Sequence, residues 1–355
     1  MFGQTDVLDA APSFTVISGR QVDSVLTGDE RRVIDIVADA YRTHGAGDTV
    51  NPPSYFLRFP DRPEARIIAL PASLGGDNGV DGLKWISSFP ANIHSGLPRA
   101  SAVLTLNDPR TGYPRACMEA SIISAARTAA SAALAARVLS AGRPAPRRLG
   151  IVGTGLIARF THRYLAAAEF DFAEIGLHDL NPEQANSFRD RYLANAAPGT
   201  PVTVHDTHSA LIEASDLVVF ATVSGEPYVT DLAAFTHHPL VLHVSLRDLA
   251  PEILLESVNV LDDVEHCLKA NTSPHLVEQR LGHRDFIAGT LDDVLRGELT
   301  VPADQTVIFS PFGLGVLDLA VAGHVYAELS RTGQLVTVPD FFYELDRFSG
   351  RPARE

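Results

Sequence analysis

A glycine-rich turn near the middle of the chain constrains its fold more than any other feature. Residues 149–158, Leu-Gly-Ile-Val-Gly-Thr-Gly-Leu-Ile-Ala, are typical of a buried strand that turns tightly and opens a helix. Gly153 permits the turn, and Gly155 lets the first amides of the helix approach a pyrophosphate. A second apolar run, residues 174–179, ends in a carboxylate that could bond a ribose hydroxyl. Together these features predict a dinucleotide-binding unit; an ordinary glycine-rich turn is the alternative.

The residues that follow the acid indicate which dinucleotide to expect. Asp179 is succeeded by Leu180 and Asn181 rather than by arginine, so a 2′-phosphate would meet a carboxylate with no guanidinium beside it. We therefore expect NAD rather than NADP as the cofactor. The predicted contacts of this unit with the cofactor are Gly153, Gly155, Leu156, Ile157 and Asp179.

Composition excludes several classes of function. The net charge of −14 argues against nucleic-acid binding, which needs clustered lysine and arginine. Two cysteines, Cys117 and Cys267, are too few for a disulfide framework, and His266, Cys267 and His275 lack the spacing of a metal site. The start of the chain has no secretion signal, and no run reaches the roughly 18 apolar residues of a membrane span. We expect a cytoplasmic protein without metal, nucleic-acid or membrane partners.

Lysine is scarce, which draws attention to the two that remain. Of 29 basic residues, only Lys84 and Lys269 are lysines. A lysine retained in such a chain can serve as a compact or titratable amine, a role that arginine cannot take. Lys84 lies in an apolar strand pattern, residues 82–86, where it is either an edge residue with an exposed amine or a functional group that points into a cleft. The scarcity favours the functional interpretation.

The order of elements predicts an α/β protein of two domains. Before the glycine turn, runs at residues 67–70, 82–86 and 102–106 predict a mixed or antiparallel sheet, with an amphipathic helix over residues 30–43. A long Ala-rich helix over residues 119–140 then ends at Gly142 and a proline-rich linker. After Asp179, strands and helices alternate as in a Rossmann-type, doubly wound parallel sheet. A last helix over residues 314–329 lies beyond that sheet and could return to the first domain.

Two further charged residues lie where a ligand could reach them. Arg127 is on the Ala-rich helix with small side chains one turn away, which leaves room for its guanidinium to clamp a carboxylate or pyrophosphate. A solvated helix arginine is the alternative. Asp248 follows a predicted strand, residues 240–245, at the strand end where such sheets bind ligands. It could instead cap a helix that begins at Pro251.

Several segments resemble the ornithine cyclodeaminase and mu-crystallin family, over nearly the whole chain. The family pattern is present in residues 83–85 (Leu-Lys-Trp), 90–92 (Pro-Ala-Asn) and 119–130, in the Gly153 turn and at Asp179. Four other segments resemble the branch that makes L-2,3-diaminopropionate by oxidising N-(2-amino-2-carboxyethyl)-L-glutamate with NAD. These segments are residues 55–60 (Tyr-Phe-Leu-Arg-Phe-Pro), 245–248 (Ser-Leu-Arg-Asp), 265–270 (Glu-His-Cys-Leu-Lys-Ala) and 309–313 (Phe-Ser-Pro-Phe-Gly).

The resemblance implies roles for individual residues. Lys84 and Asp248 match the catalytic pair, with Lys84 also in contact with the substrate, while Arg58 and Arg127 would hold a substrate carboxylate or the cofactor. Thr222, Val244 and Ser245 join the cofactor-binding residues. The resemblance also implies a homodimer, and an α+β domain of residues 1–125 with 315–355 for substrate binding and dimerisation. Residues 126–314 would form the NAD-binding Rossmann domain.

One departure from the cyclodeaminase pattern bears on function. Leu246 and Arg247 precede Asp248, where cyclodeaminases carry a glycine pair, and Pro251 follows after a short segment. We therefore expect oxidative hydrolysis of N-(2-amino-2-carboxyethyl)-L-glutamate to L-2,3-diaminopropionate and 2-oxoglutarate, which would supply a siderophore or antibiotic precursor. The alternatives are an ornithine cyclodeaminase, which releases proline and ammonia, and a non-catalytic, mu-crystallin-like binder of nucleotide and small ligand.

The expected reaction requires three kinds of group. Oxidation at the glutamyl Cα produces an imine; water adds to it, and the carbinolamine collapses to the two products. A carboxylate clamp, a base and a nearby cation would assist these steps. We assign the clamp to Arg127 and Arg58, the base to Asp248, and the cation and proton donor to Lys84.

Overall fold

The strands of this computed structural model, which describes residues 12–76 and 79–342, form two eight-stranded sheets. The strands are β1 (Phe14–Ile17), β2 (Thr49–Val50), β3 (Tyr55–Phe59), β4 (Arg62–Leu74), β5 (Val80–Ser88), β6 (Ala100–Asn107), β7 (Pro114–Glu119), β8 (Arg148–Val152), β9 (Glu174–His178), β10 (Val202–Val204), β11 (Leu217–Phe220), β12 (Leu240–His243), β13 (Val258–Leu261), β14 (Ile287–Thr290), β15 (Val307–Ser310) and β16 (Val336–Val338).

The helices connect and cover these sheets. They are α1 (Gly19–Leu26), α2 (Glu30–Gly45), α3 (Ser121–Leu139), α4 (Leu156–Ala167), α5 (Pro182–Phe188), α6 (Ala194–Ala196), α7 (His208–Glu213), α8 (Pro251–Leu255), α9 (Val264–Cys267), α10 (Ser273–Leu281), α11 (Leu291–Leu295) and α12 (Gly315–Arg331). A π-helical stretch, Arg189–Leu193, joins α5 to α6.

The first sheet is mixed, as the sequence predicts. Its order is β16-β1-β7-β6-β5-β4-β2, with β3 paired to β4. Strand β1 runs parallel to β7, and the other pairs are antiparallel. Because side chains alternate between the faces of a strand, Lys84 on β5 points to the covered face while Trp85 points outward. Helix α12 packs across β4 and β5 on the covered face.

The second sheet confirms the predicted doubly wound fold. All eight strands are parallel, in the order β10-β9-β8-β11-β12-β15-β13-β14. From β8 the chain moves outward through β9 and β10, then returns to place β11 on the other side of β8. The strand order therefore reverses beside β8, at the glycine turn, which is where ligands bind in sheets of this kind.

Helix α3 lies in the core between the two sheets. It contacts β6 of the first sheet and both β12 and β15 of the second, and it packs against α2, α4 and α12. Among the described residues α3 is the one helix with the length and hydropathy of a membrane span, but 72% of that window is buried inside the protein. Burial by protein accounts for its apolar composition.

The last helix returns to the first sheet. Strand β15 ends the chain's path through the parallel sheet, and α12 then packs on β4, β5 and α2. The return that the sequence suggested is thus present. The division of domains at residues 125/126 and 314/315 stays a prediction, since α3 is continuous across residue 125.

Candidate active site

The glycine turn has the shape that a pyrophosphate requires. Gly153 has a φ of +86°, and a Cβ there would lie 2.8 Å from the carbonyl oxygen of Ala221. Gly155 caps α4 without a side-chain hydrogen bond, and a Cβ at this position would meet nothing within 4 Å. The first amides of α4 therefore face open space, as a helix N-terminus does when it binds an anion. The turn fits a dinucleotide.

Asp179 is held beside that turn. Its Oδ2 accepts hydrogen bonds from the backbone N–H and the hydroxyl of Thr154, both at 2.8 Å, and its Oδ1 accepts one from the Asn181 N–H. The carboxylate therefore lies at the end of β9, where the sequence placed it. The neighbouring Leu180 is 97% exposed, which leaves an apolar surface next to the acid. An acid beside an apolar surface suits the ribose and adenine ring of NAD better than the 2′-phosphate of NADP.

Lys84 and Arg127 meet at a single buried carboxylate that the sequence did not reveal. The Lys84 Nζ donates to Asp318 Oδ2 at 2.6 Å and to the Ser124 hydroxyl at 3.3 Å. The Arg127 Nε donates to Asp318 Oδ1 at 3.1 Å. Lys84 and Asp318 are buried, and the Arg127 side chain is 11% exposed. Two cations share one anion here, so the group carries an excess positive charge.

The amine of Lys84 is poised to change its protonation near neutral pH. Burial lowers its pKa from 10.5 to about 8, the charge of Asp318 opposes this shift, and the charge of Arg127 adds to it. An exposed edge lysine would show none of this desolvation. The structure therefore excludes the exposed edge lysine, and the functional role of Lys84 stays a prediction.

A loop after β15 makes room for the Arg127 guanidinium. Gly313 has a φ of +92°, and a Cβ on it would overlap that guanidinium. The carboxylate of Asp262 fixes the loop, accepting hydrogen bonds from the N–H of Phe312 at 2.9 Å and of Gly313 at 2.7 Å. Beside the loop is a cavity of about 160 Å³, lined by Arg127, Thr128, Ser131, Ile157, Val244, Leu246, Pro311, Phe312 and Gly313. Its lining thus includes Arg127, which is predicted to bind the substrate, and Ile157 and Val244, which are predicted to bind the cofactor.

Replacing Gly313 by alanine is expected to displace Arg127. The added methyl occupies the space of the guanidinium, and the backbone is strained because φ is positive. We expect the KM for substrate to rise about tenfold, the loss of one charge-assisted hydrogen bond. Gly142→Ala is the matched control, since Gly142 has a φ of +78° but no atom within 4 Å of its Cβ position. Equal KM values for the two variants in steady-state assays would contradict this packing role.

Asp248 is the centre of a dense hydrogen-bond network. Its carboxylate accepts a hydrogen bond from the Tyr228 hydroxyl at 3.0 Å and, when the His243 ring is protonated at Nε2, one from that nitrogen at 3.1 Å. When Nε2 is unprotonated, it accepts from the backbone N–H of Asp248 instead. The hydroxyls of Thr222 and Ser245 also donate to the carboxylate. Burial opposes ionisation, but the hydrogen bonds and charge of His243, with those hydroxyls, lower the pKa of Asp248 to about 2. Asp248 is therefore an anion at neutral pH.

Asp248 does not cap the helix that begins at Pro251. The N-cap position of α8 is Ala250, and no side chain caps that helix. The capping alternative is thus excluded, and the carboxylate is fully buried among its hydrogen-bond donors. A substrate or water must displace one of those hydroxyls to reach it. The catalytic role of Asp248 stays a prediction.

The predicted site residues form separate groups in this structure. Lys84 and Arg127 meet through Asp318, whereas Thr222 and Ser245 meet through Asp248. Arg58, on β3, is exposed and lies 4.9 Å from the centre of the Phe56 ring. Among the described residues it makes no ion pair with the Asp318 group. It lies directly opposite Arg66 on β4 instead.

The chain matches the model of the ornithine cyclodeaminase/mu-crystallin family over residues 18–333. It belongs to this family. An N-((2S)-2-amino-2-carboxyethyl)-L-glutamate dehydrogenase of Staphylococcus aureus is 28% identical over 306 residues, which cover 83% of this chain and 89% of that protein. An alanine dehydrogenase of Archaeoglobus fulgidus is 28% identical over 323 residues, 88% of this chain and 94% of that protein.

A solved structure of another member shows the same architecture. An archaeal alanine dehydrogenase, determined as a dimer with bound NAD, superposes with a TM-score of 0.80 at 26% identity. The match covers 93% of this chain and all of that chain. Two activities thus occur among relatives of similar identity, so the family alone does not decide the substrate.

In this member of the ornithine cyclodeaminase/mu-crystallin family, the sequence reasoning missed three residues of the site. Asp318 is the one acid within an apolar stretch, residues 314–322. A lone acid in such a stretch indicates a buried carboxylate that is paired with a cation. Tyr228 offered no such pattern, because the loop after β11 brings it to Asp248 through backbone hydrogen bonds to residue 248. His243 is only five residues before Asp248, so its position at the end of β12 was a local signal.

Proposed function

We propose that the chain is an NAD-dependent dehydrogenase that cleaves N-(2-amino-2-carboxyethyl)-L-glutamate to L-2,3-diaminopropionate and 2-oxoglutarate. One observation carries the proposal: two buried cations, Lys84 and Arg127, share a single anion, Asp318, next to a cavity that the nucleotide-binding helix also lines. The excess positive charge suits a substrate carboxylate, and Ile157 of that helix places the cofactor nearby. The relative from Staphylococcus aureus supports the choice of substrate.

The chemistry follows from these groups. The glycine turn and Asp179 would hold NAD, which would supply the hydride acceptor for oxidation of the glutamyl Cα–N bond to an imine. Arg127 binds the adjacent carboxylate, and protonated Lys84 stabilises negative charge and supplies a proton to the departing amine. Water adds to the imine carbon, and the C–N bond breaks to give a ketone and a primary amine. Overall, the substrate, NAD⁺ and water are converted to 2-oxoglutarate, diaminopropionate, NADH and a proton.

Asp248 is the proposed base for the water. A carboxylate with a pKa of about 2 is a weak base, but water that has begun to bond to a protonated imine is itself strongly acidic. Asp248 therefore needs only to be ionised and in place. Water would reach the carboxylate by displacing the hydroxyl of Thr222 or of Ser245, which donate to it in this structure.

The protonation of Lys84 predicts the alkaline limb of the pH profile. Because the lysine acts in its charged form, kcat/KM should fall as pH rises through about 8, the pKa of Lys84 in the free protein. Arginine stays charged throughout this range, so the residual activity of Lys84→Arg should lack that limb. Initial rates between pH 6 and 10 test this. The same limb in both proteins would assign it to another group.

We also propose that the protein is a homodimer joined through the outer face of the first sheet. Val16, Trp85 and Val103 project from that face and are each more than 40% exposed. An exposed apolar sheet face of this kind marks an interaction surface, and the archaeal alanine dehydrogenase is a dimer.

Trp85→Glu is expected to dissociate the dimer by burying a charge in the interface. Light scattering should give twice 38.1 kDa for the wild type and about half of that mass for the variant. Leu255→Glu, at an exposed apolar position on α8, is the control and should leave the mass unchanged. A monomeric wild type, or a dimeric Trp85 variant, would contradict the proposed surface.

A substrate panel tests the proposed function. Purified protein is mixed with NAD or NADP and with N-(2-amino-2-carboxyethyl)-L-glutamate, L-alanine or L-ornithine, and reduction of the cofactor is followed by absorbance. We expect reduction of NAD with the first substrate, and a preference for NAD because the carboxylate of Asp179, held beside the glycine turn, would repel a 2′-phosphate on the ribose. Reduction with alanine alone would make the chain an alanine dehydrogenase. Proline and ammonia from ornithine would make it a cyclodeaminase, and binding without turnover would leave a ligand-binding protein.

A further inference from the structure

Three arginines with no assigned role lie together with Arg58. Arg58 on β3 is directly opposite Arg66 on β4, and Arg66 is in turn opposite Ser88 on β5. The Arg99 Nη1 donates to the hydroxyl of that Ser88 at 2.7 Å. Strand pairing therefore brings three guanidinium groups to one end of the first sheet.

The fourth arginine comes from the other sheet. Arg247 follows β12 and immediately precedes Asp248; its Nε and Nη2 donate to the Ala270 carbonyl oxygen at 3.0 and 2.6 Å. Burial, together with the nearby charges of Arg66 and Arg58, lowers the pKa of Arg247. Burial and a neighbouring arginine likewise lower the pKa of Arg66 and of Arg99. The four cations are thus close enough to repel one another, in a cluster that adjoins Asp248.

Among the described residues no carboxylate forms an ion pair with this cluster, although the charge of Asp248 opposes the lowering of the Arg247 pKa. Within residues 12–76 and 79–342, none of the four arginines forms an ion pair, although arginines elsewhere, such as Arg284 and Arg296, each contact two or more acids. The neighbouring Asp248 is already held by four side-chain donors. Like charges opposite each other in a sheet are destabilising, and Arg66, Arg99 and Arg247 are half-buried. A bound anionic ligand would stabilise these neighbouring positive charges.

We propose that Arg66, Arg99 and Arg247, with Arg58, form a second carboxylate site that recognises the distal carboxylates of the substrate. Arg127 binds one carboxylate at the reacting carbon, and the cluster binds those that lie farther along the molecule. N-(2-amino-2-carboxyethyl)-L-glutamate has three carboxylates, whereas alanine has one. The inference rests on the proposed function for the identity of this tricarboxylate, and the cluster explains how the protein selects it over a small amino acid.

Binding of simple oxo acids tests the cluster without turnover. The probes are 2-oxoglutarate, with two carboxylates, and 2-oxobutyrate, with one; their dissociation constants are measured by calorimetry on the protein with NADH. We expect wild type to bind the dicarboxylate at least about tenfold more tightly, because a charge-assisted arginine contact is worth roughly that factor. Arg66→Gln, Arg99→Gln and Arg247→Gln should each bring the ratio towards one, and Arg66→Lys should lie between.

Arg62→Gln is the matched control. Arg62 is on the same strand as Arg66, but it is exposed and paired with Asp61. Its loss removes one positive charge near the cluster without removing a member, so the ratio should stay at the wild-type value. NADH affinity, measured by fluorescence, should be unchanged in every variant, which also shows that each one is folded.

Each outcome decides the inference. A wild-type ratio near one, or ratios in the Arg66, Arg99 and Arg247 variants that match Arg62→Gln, would overturn it. Loss of NADH affinity in the folded cluster variants would assign the arginines to the cofactor and also overturn it. If N-(2-amino-2-carboxyethyl)-L-glutamate is not oxidised but the dicarboxylate preference is present and lost in the variants, the proposed function fails and the second carboxylate site stands. If the tricarboxylate is oxidised but the ratio of dissociation constants is the same in the variants as in the wild type, the proposed function stands and the second carboxylate site fails.

Discussion

Asp248→Asn is expected to reduce kcat by about 10²–10⁴, the range for removal of a general base. Asparagine keeps the size of the side chain but not its charge, and its amide group turns a donor towards groups that already donate. Of the two oxygens, each of which accepts from two side chains, the variant keeps one and replaces the other by a donor. Rapid-quench measurement of 2-oxoglutarate formation gives the rate of the hydrolytic step that Asp248 would assist.

Two comparisons separate catalysis from folding in this variant. NADH affinity should be nearly unchanged, because Asp179 is fixed by Thr154 and Asn181 rather than by Asp248. Tyr228→Phe removes one donor and leaves the carboxylate, so its kcat should fall by less than tenfold, consistent with the loss of one hydrogen bond. An Asp248 variant that binds NADH and turns over at the wild-type rate would remove Asp248 from the mechanism.

Asp318→Asn is expected to lower the free energy of unfolding by about 3–5 kcal/mol, since removal of one partner leaves buried charge uncompensated. Here two cations lose the same partner: Lys84 is buried and Arg127 nearly so. The substrate carboxylate would still find cations, but their positions would no longer be fixed, so we expect kcat/KM to fall as well. Urea denaturation followed by far-UV circular dichroism measures the first effect.

The same helix offers a control for the Asp318 variant. Glu328→Gln removes an exposed carboxylate on α12 that pairs with Arg331, and such surface pairs contribute about 0–1 kcal/mol. The double variant Lys84→Met with Asp318→Asn should recover part of the lost stability, because one of the uncompensated cations is gone. Equal unfolding midpoints for Asp318→Asn and Glu328→Gln would show that the buried carboxylate does not hold the two cations.

Much of the fold could be predicted because its signals are local. The glycine turn, the apolar runs and the acid after β9 lie within a few residues of one another, and the parallel sheet follows from their alternation. Predicted elements such as the helix over residues 30–43 and the strand at 240–245 match α2 and β12. Short strands at the edges, such as β14 and β16, lack this periodicity and were missed.

The site was predictable only in part, because its residues meet across the chain. Asp248 could be placed at the end of a parallel strand, but its partner Tyr228 comes from a separate loop that no spacing reveals. Asp318 reaches Lys84 across 234 residues of sequence. Arg58 and Arg66 lie opposite each other only in the observed register of the β3–β4 hairpin. A shift of one residue would turn the side chains of one strand to the other face of the sheet.

The most direct test of the central claim is the stoichiometry of a single reaction. Protein, NAD and a limiting amount of N-(2-amino-2-carboxyethyl)-L-glutamate are incubated to completion; NADH is read by absorbance, and 2-oxoglutarate and L-2,3-diaminopropionate by mass spectrometry. The proposed mechanism predicts equal amounts of all three products, with oxygen from isotopically labelled water in the ketone of 2-oxoglutarate. NADH without cleavage of the C–N bond, or no NADH at all, would contradict it.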